Sequence, residues 1–302
     1  GIVTLTGTAD IATTVRIFNN GTCTGPALGQ TTPAANRNWT FTTASLLDGT
    51  HSITASATDS AGNESDCSPI LSILIDTVIQ QPTTPVLDPA SDTGLAPNGS
   101  NSDKITFDNT PTLSGTVEAN TTGIPQANTS VTVFDNGSAV TAVPFPAGPS
   151  GAWSFTPTTA LTNGNHAITV RATDAAGNIS ILSASLNIIV DTQIAVPVIS
   201  AITPDLGPSS TDHVTRSRQL VFHGTAEPCT AVLVPSPLGC TQVTLTRVGV
   251  GSFGVAFTDS TGNWTFDNSA NLLSDGNYSF TATARDAAGN VACARGQAAR
   301  SR

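Results

Sequence analysis

The chain has 302 residues, a net charge of −10 and only 11% charged residues. Lys104 is the only lysine, which excludes the basic surface that nucleic-acid binding needs. No apolar run approaches the roughly 20 residues of a membrane-spanning helix, and no long stretch carries helical apolar spacing.

Gly, Pro, Ser, Thr and Asn are plentiful, a composition that suits short strands joined by many turns. Period-two alternation marks the strands in chain order. The first copy opens on Leu5-Thr6-Gly7-Thr8. It continues through Val15 and Ile17, Trp39 and Phe41, then Ile53, Ala55 and Ala57, and ends on Leu71, Ile73 and Ile75. A Pro-containing linker from Asp76 to Pro85 follows. The second copy has a leader from Val86 to Pro111, then Leu113-Ser114-Gly115-Thr116. Val131 and Val133, Trp153 and Phe155, Ile168 and Val170, and Leu186, Ile188 and Val190 complete it. After the linker Asp191–Pro197, the third copy shows Val232 and Val234, Trp264 and Phe266, then Tyr278, Phe280 and Ala282.

These segments recur at a fixed spacing. The tryptophans Trp39, Trp153 and Trp264 are spaced by 114 and 111 residues, and the aspartates of three Asp-x-Ala-Gly-Asn turns, Asp59, Asp174 and Asp286, by 115 and 112. A fixed period of domain size means tandem copies of one fold. The predicted fold class is all-β: three tandem two-sheet sandwiches at residues 1–76, 77–191 and 192–302. The first copy lacks a leader strand, and the third lacks an apolar final strand. Trimming of a longer repeat protein explains both ends; exchange of strands between subunits is the alternative. A chain that starts at Gly1, with no methionine and no signal peptide, reads as a processed protein or as a segment of a longer one.

Local chemistry supports this reading. Asp48-Gly49, Asn163-Gly164 and Asp275-Gly276 suit turns with positive φ. In the Asp-x-Ala-Gly-Asn blocks the aspartate is expected to accept hydrogen bonds from its own turn, with the glycine in the left-handed region. The repeat also organises four cysteines. Cys23 and Cys240 each lie 14 residues after the alanine of a Gly-Thr-Ala block, and Cys67 and Cys293 each follow an Ala-Gly-Asn turn. Copies one and three hold both positions and copy two holds neither, which predicts disulfides Cys23–Cys67 and Cys240–Cys293 and an oxidising compartment. Cys229 is left unpaired and reads as a buried thiol, with an intermolecular bridge or an alternative partner also open.

The segment Asp275-Gly276-Asn277-Tyr278 resembles the tyrosine corner of immunoglobulin folds, with His51 and His166 at the equivalent position of the other copies. More widely, the chain resembles the bacterial immunoglobulin-like repeats of large surface adhesins and related extracellular fibres. The phrases that carry this are Ser91-Asp92-Thr93-Gly94, Asp103-Lys104-Ile105-Thr106, Asp108-Asn109-Thr110-Pro111, Leu113-Ser114-Gly115-Thr116, Val133-Phe134-Asp135-Asn136-Gly137, Trp153-Ser154-Phe155, the Asp-x-Ala-Gly-Asn turn and Asp191-Thr192. The resemblance implies exported sandwich domains strung end to end, with Ca²⁺ often stiffening the joints.

Oxygen-rich, sulfur-free carboxylates are the metal candidates. By that resemblance, Asp76, Asp92, Asp103 and Asp108 form a Ca²⁺ site at the first joint. Asp191, Asp205 and Asp212 form a weaker one at the second, where Ser217 replaces the fourth aspartate between Arg216 and Arg218. No nucleophile elbow, His-Glu-x-x-His, phosphate loop or Cys-x-x-Cys is present, so no enzyme is expected. The function that fits is a structural extracellular protein, a stalk or fibre segment of a bacterial surface adhesin. Its partners are neighbouring repeats or copies of itself. A filament subunit joined by strand exchange and a ligand-binding adhesin module are the alternatives.

Overall fold

The alternating segments fold into antiparallel sheets that pack their apolar faces together, as strands with one apolar face must. The computed structural model describes residues 1–94, 102–119, 129–141, 143–229 and 240–294, and the backbone of 297–301. Contacts divide the chain into two compact units, Gly1–Gln80 with Thr173–Ser180 and Gln81–Ala172 with Ile181–Arg302. No helix occurs among the described residues.

In the first copy β1 (Thr4–Thr8) pairs with β4 (Asn38–Thr42). The facing sheet runs β3 (Gly29–Thr31), β2 (Thr14–Asn19), β5 (Gly49–Thr58), β6 (Leu71–Ile75). The second copy adds strands at its edges. One sheet is β13 (Ala152–Phe155), β9 (Leu113–Thr116), β7 (Val86–Leu87). The other is β11 (Ser138–Ala139), β10 (Ser130–Asp135), β14 (Gly164–Thr173), β15 (Leu186–Val190), β8 (Ile105–Thr106), with β12 (Phe145–Pro146) also on β10. The third copy repeats this with β16 (Val198–Thr203), β18 (Val221–Thr225), β21 (Asn263–Asp267) in one sheet. Its second sheet is β17 (Val214–Thr215), β24 (Gln297–Ser301), β22 (Gly276–Arg285), β19 (Gln242–Arg247), β20 (Gly251–Phe257), with β23 (Val291–Cys293) also on β22.

The repeated tryptophan and the repeated Gly-Thr explain each other. In the registers, Gly7 stands opposite Trp39, Gly115 opposite Trp153 and Gly224 opposite Trp264. A Cβ on these glycines would come within 2.4, 2.8 and 2.2 Å of the indole Cζ2. Each ring therefore lies across the neighbouring strand, over the one residue that leaves room for it. Trp153 and Trp264 are buried, whereas Trp39 is only half-buried.

The corners close through one bond each. The Tyr278 hydroxyl donates to the Ser274 carbonyl. His51 Nε2 donates to the Leu47 carbonyl at 2.8 Å and His166 Nε2 to the Thr162 carbonyl at 2.7 Å. Each bond spans four residues, so an imidazole N–H replaces the phenol in two copies of three. His166 Nδ1 also donates, to Asp135 Oδ2 at 2.7 Å.

Three expectations about the third copy change. Val232 and Val234 lie outside the described residues, and the strand equivalent to β2 is β19, with Val243 and Leu245 buried. The connection before that strand is longer than in the first copy, so Cys240 precedes its strand while Cys23 follows its own. Counting from the alanine thus matches two different ends of the strand. The structure joins Cys23 to Cys67, but it pairs Cys240 with Cys229 and leaves Cys293 free and exposed. The final strand is present as well. β24 pairs with β22 along Gly276–Phe280, although Gln297-Ala298-Ala299-Arg300-Ser301 carries no large apolar alternation. Backbone pairing to a long neighbour places it.

The cysteine pattern has a direct consequence. Alkylation of the folded, unreduced protein should add one label per chain, at Cys293, read by peptide mass spectrometry. Labelling at Cys229 would contradict the Cys229–Cys240 bridge. Reduction should cost the first copy about 4 kcal/mol, given a loop of 44 residues.

Candidate functional site

The Asp-x-Ala-Gly-Asn turn is the recurring polar device. Asp59 Oδ1 accepts the N–H groups of Ala61 and Asn63 at 2.8 and 2.9 Å, and its Oδ2 accepts Asn63 Nδ2. Asp174 holds Asn178 in the same way, and Asp286 holds the N–H groups of Gly289 and Asn290 and the side chain of Asn290. The glycines Gly62, Gly177 and Gly289 have φ of 90°, 92° and 97°, values that favour a residue without a Cβ. The aspartate therefore fixes the turn, and the turn aims the asparagine amide outward.

That amide reaches back to the end of the preceding copy. Asn178 Nδ2 donates to the Asp76 carbonyl at 3.2 Å, and Asn290 Nδ2 to the Asp191 carbonyl at 2.8 Å. At the second of these joints the leader of the second copy takes part. Asp191 N–H donates to the Thr106 carbonyl, so the leader lies beside the end of β15. Thr93 Oγ1 donates to the Ala288 carbonyl at 2.7 Å. A Cβ on Gly289 would lie 2.7 Å from the Thr93 backbone carbonyl oxygen. Ile105, Ala287 and Ala288 form a small buried cluster with Ile189 against it.

Three carboxylates converge at this joint. One oxygen each from Asp191, Glu227 and Asp286 lie within 4.8 Å of one another, the one group of three or more acidic, imidazole or thiol side chains found that close among the described residues. Asp286 is buried, and Glu227 Oε2 accepts the Ala195 N–H at 3.0 Å. Burial pushes the Asp286 carboxyl above its ordinary range, and the Asp191 charge adds to the push. Burial raises Glu227 as well, followed by the charges of Asp191 and Asp286. Asp59, in the same turn but exposed, moves the other way, because hydrogen bonds from Asn63 stabilise its charge. An oxygen-only, partly buried set of three like charges fits a hard divalent cation.

The sequence-predicted sets divide differently. Asp92, Asp103 and Asp108 lie in the leader beside Asp191, because β7 carries the chain along the sandwich to the pole where β15 ends. Asp92 Oδ2 accepts the Lys104 N–H, Asp103 Oδ1 the Ile105 N–H, and Asp108 Oδ1 the Thr110 N–H, so they shape the loop. Asp76 instead bonds through its carbonyl to Asn178. At the second joint, Asp191 is joined by Glu227 and Asp286 rather than by Asp205 and Asp212. The latter two bind the N–H groups of His213 and Val214 in the next leader, repeating the Asp92 and Asp103 pattern. In sequence, Glu227 is legible as the acidic residue that follows each Gly-Thr-x block, matched by Asp10 and Glu118, and Asp286 as a member of its turn.

The sequence profile of the bacterial Ig-like domain matches residues 3–77, 78–192 and 193–296. The chain belongs to the bacterial Ig-like domain family. No curated protein matches it. Among solved structures it is similar to a tetra-tandem repeat in the extending region of a large adhesion protein, with 19% identity and a TM-score of 0.35 over 98% of this chain and 70% of that one. It is also similar to titin domains A168–A170, with 11% identity and a TM-score of 0.39 over 100% and 94%. Fibronectin(III)-like modules of Clostridium thermocellum CbhA match 72% of this chain and 95% of theirs, with 13% identity and a TM-score of 0.34.

In this bacterial Ig-like chain the joint and the leader give two predictions. A Cβ on Gly62 would meet nothing within 4 Å, whereas one on Gly289 would face the Thr93 backbone carbonyl oxygen. Both alanine variants meet the φ penalty, about 1 kcal/mol. Gly289→Ala should cost at least about 1 kcal/mol more by overpacking the joint, measured by urea denaturation; equal costs would contradict the packing. The second concerns pH. Asp92 is buried, with Oδ1 unpartnered and Asp103 beside it, and burial pushes its carboxyl up to about 6. Its folded value exceeds the unfolded one, so this group favours the fold at low pH, and that contribution is lost as pH rises through 6. The denaturation midpoint of the second copy should fall between about pH 4 and 7 on this account, and Asp92→Asn should flatten the fall. An unchanged slope would remove the assignment.

Proposed function

We propose that this chain is a non-catalytic spacer of a bacterial surface protein of the adhesin type, in which the second and third Ig-like domains are coupled by a cation-assisted joint. The observation that carries the reading is the joint at Asp191, where one turn of the third copy bonds the end of the second and packs on its leader. A joint built from a hydrogen bond, an apolar cluster and converging carboxylates restrains neighbouring domains. The disulfide Cys23–Cys67 adds a covalent clamp within one copy, a device of oxidising compartments.

Asp191, Glu227 and Asp286 would hold Ca²⁺ at that joint. The bound ion would supply positive charge against three carboxylates that otherwise repel one another. Asp286 already has its oxygens oriented by Gly289 and Asn290, and Glu227 is steadied by Ala195, so the chain positions its donors in advance.

Calorimetry tests the cation. For an extracellular-type affinity of ~10⁻⁴–10⁻³ M, 10 mM Ca²⁺ should stabilise the unit holding the second and third copies by about 1.4–2.7 kcal/mol. Glu227→Gln should remove most of this gain and leave the turn intact. No gain and no heat of binding would eliminate the ion while leaving the spacer reading in place. The spacer reading is tested separately by antibody labelling of intact source cells. Staining without lysis is expected, and staining only after lysis would contradict it.

A further inference from the structure

The three copies treat one sheet edge differently. Beside β2 the first copy has β3, three residues between Pro26 and Pro33. Beside β10 the second has β11 and β12, two residues each, and β12 ends on Pro146. Short strands bounded by proline close a sheet edge to other chains. Beside β19 the third copy has β20, seven residues without a charge or a proline. Two glycines fix the equivalence of these edges. A Cβ on Gly29 would come within 2.6 Å of Phe41 Cε2, and one on Gly254 within 2.0 Å of Phe266 Cε2.

Among the described residues, β20 pairs with β19 on one side and ends its sheet on the other. The Thr258 N–H donates to the Thr241 carbonyl at 3.0 Å. By alternation Gly254 and Ala256 also turn their backbone groups toward β19, and Val255 and Phe257 turn theirs to the free edge. The side chains of Val255 and Phe257 are 44% and 37% exposed. A bulge at Phe253 bounds this regular stretch at one end, and the turn fixed by Asp259 bounds it at the other.

We propose that β20 is a docking edge for the β20 of a second copy of this chain, paired antiparallel about a two-fold axis at Ala256. Val255 then stands opposite the partner's Phe257, and Phe257 opposite the partner's Val255. All four residues turn their backbone groups to the shared edge, so the two pairs make four main-chain hydrogen bonds. On the solvent face each pair sets a β-branched side chain against an aromatic one, a favourable cross-strand combination. Charge favours a second copy here over any other face of the molecule. The chain carries a net charge of −10, so its acidic faces repel one another. Residues 241–258 hold no carboxylate and one arginine, Arg247, so two copies meet there without opposed acidic groups. A two-fold pairing uses both β20 edges and closes as a dimer. The contact is small, so the dimer is weak and depends on concentration. It joins chains side by side, beyond the end-to-end coupling at Asp191.

Sedimentation equilibrium of the full chain, with Cys293 alkylated to prevent intermolecular disulfides, tests the pairing alongside amide hydrogen exchange. The expected result is association that rises with concentration and slows exchange at Val255 and Phe257. Val255→Lys and Phe257→Asp both change exposed side chains, and circular dichroism checks that each variant folds. Each alone should associate about tenfold more weakly or worse. An equimolar mixture of the two should associate again, because the introduced charges then stand opposite each other. A chain that stays monomeric at about 1 mM would overturn the proposal. Association that leaves exchange at Val255 and Phe257 unchanged would overturn it as well, and so would a mixture that associates no better than the separate variants.

Discussion

Each sandwich depends on the strand that precedes it. A pair of antiparallel sheets buries its apolar faces only if every edge of the front sheet is long enough to cover the back one. In the second and third copies the leader supplies that cover: β7 lies against β15, and β16 brings Ile199 and Ile202 onto Phe280. The same leader then continues to the far pole and pairs in parallel beside the last strand, β8 on β15 and β17 on β24. In the second copy, that continuation also receives the turn of the third through Thr93 and Ile105. One segment thus closes its own core and prepares the surface on which the next repeat sits. In the first copy, where β1 pairs with β4 alone among the described residues, Leu71 is exposed and Trp39 half-buried.

The joint reuses a turn for a second purpose. Asp59 and Asp286 make nearly the same hydrogen bonds to their own turns, yet their carboxyls shift in opposite directions. Exposure lets the turn bonds win at Asp59. Burial and the nearby Asp191 win at Asp286, where a neighbouring domain covers it. A motif whose local role is to fix a left-handed glycine becomes, when covered, a charged group in need of a counter-ion. That change of role needs no change in the motif itself.

The fold is largely readable from the chain because its signals are local. Trp39, Trp153 and Trp264 mark a strand by alternation, and the Tyr278, His51 and His166 corners by position in a turn. The joint is only half readable. Asp76 and Asp191 end their copies, where their carbonyls meet Asn178 and Asn290, but Asp92, Asp103 and Asp108 belong to the opposite pole from the one their order in the chain suggests. Nothing in a one-dimensional spacing reveals that β7 carries them along the length of the sandwich. The Cys240 pairing departs from expectation for a related reason, since a longer connection moves the cysteine to the other end of its strand while keeping its distance from Ala226. Spacing is faithful within a strand or turn and unreliable across an insertion. Glu227 has a signal in the sequence, since Asp10 and Glu118 hold the same place after Gly-Thr in the other copies, but only packing brings it beside Asp191 and Asp286.

Native-state hydrogen exchange at the matching central-strand amides of Ile53, Ile168 and Phe280, with the disulfides reduced, measures the stability of the three cores under one condition. If the leader strand is what seals each sandwich, Ile53 exchanges with the lowest opening free energy of the three. Protection at Ile53 equal to or above that at Ile168 and Phe280 would contradict the sealing role of β7 and β16.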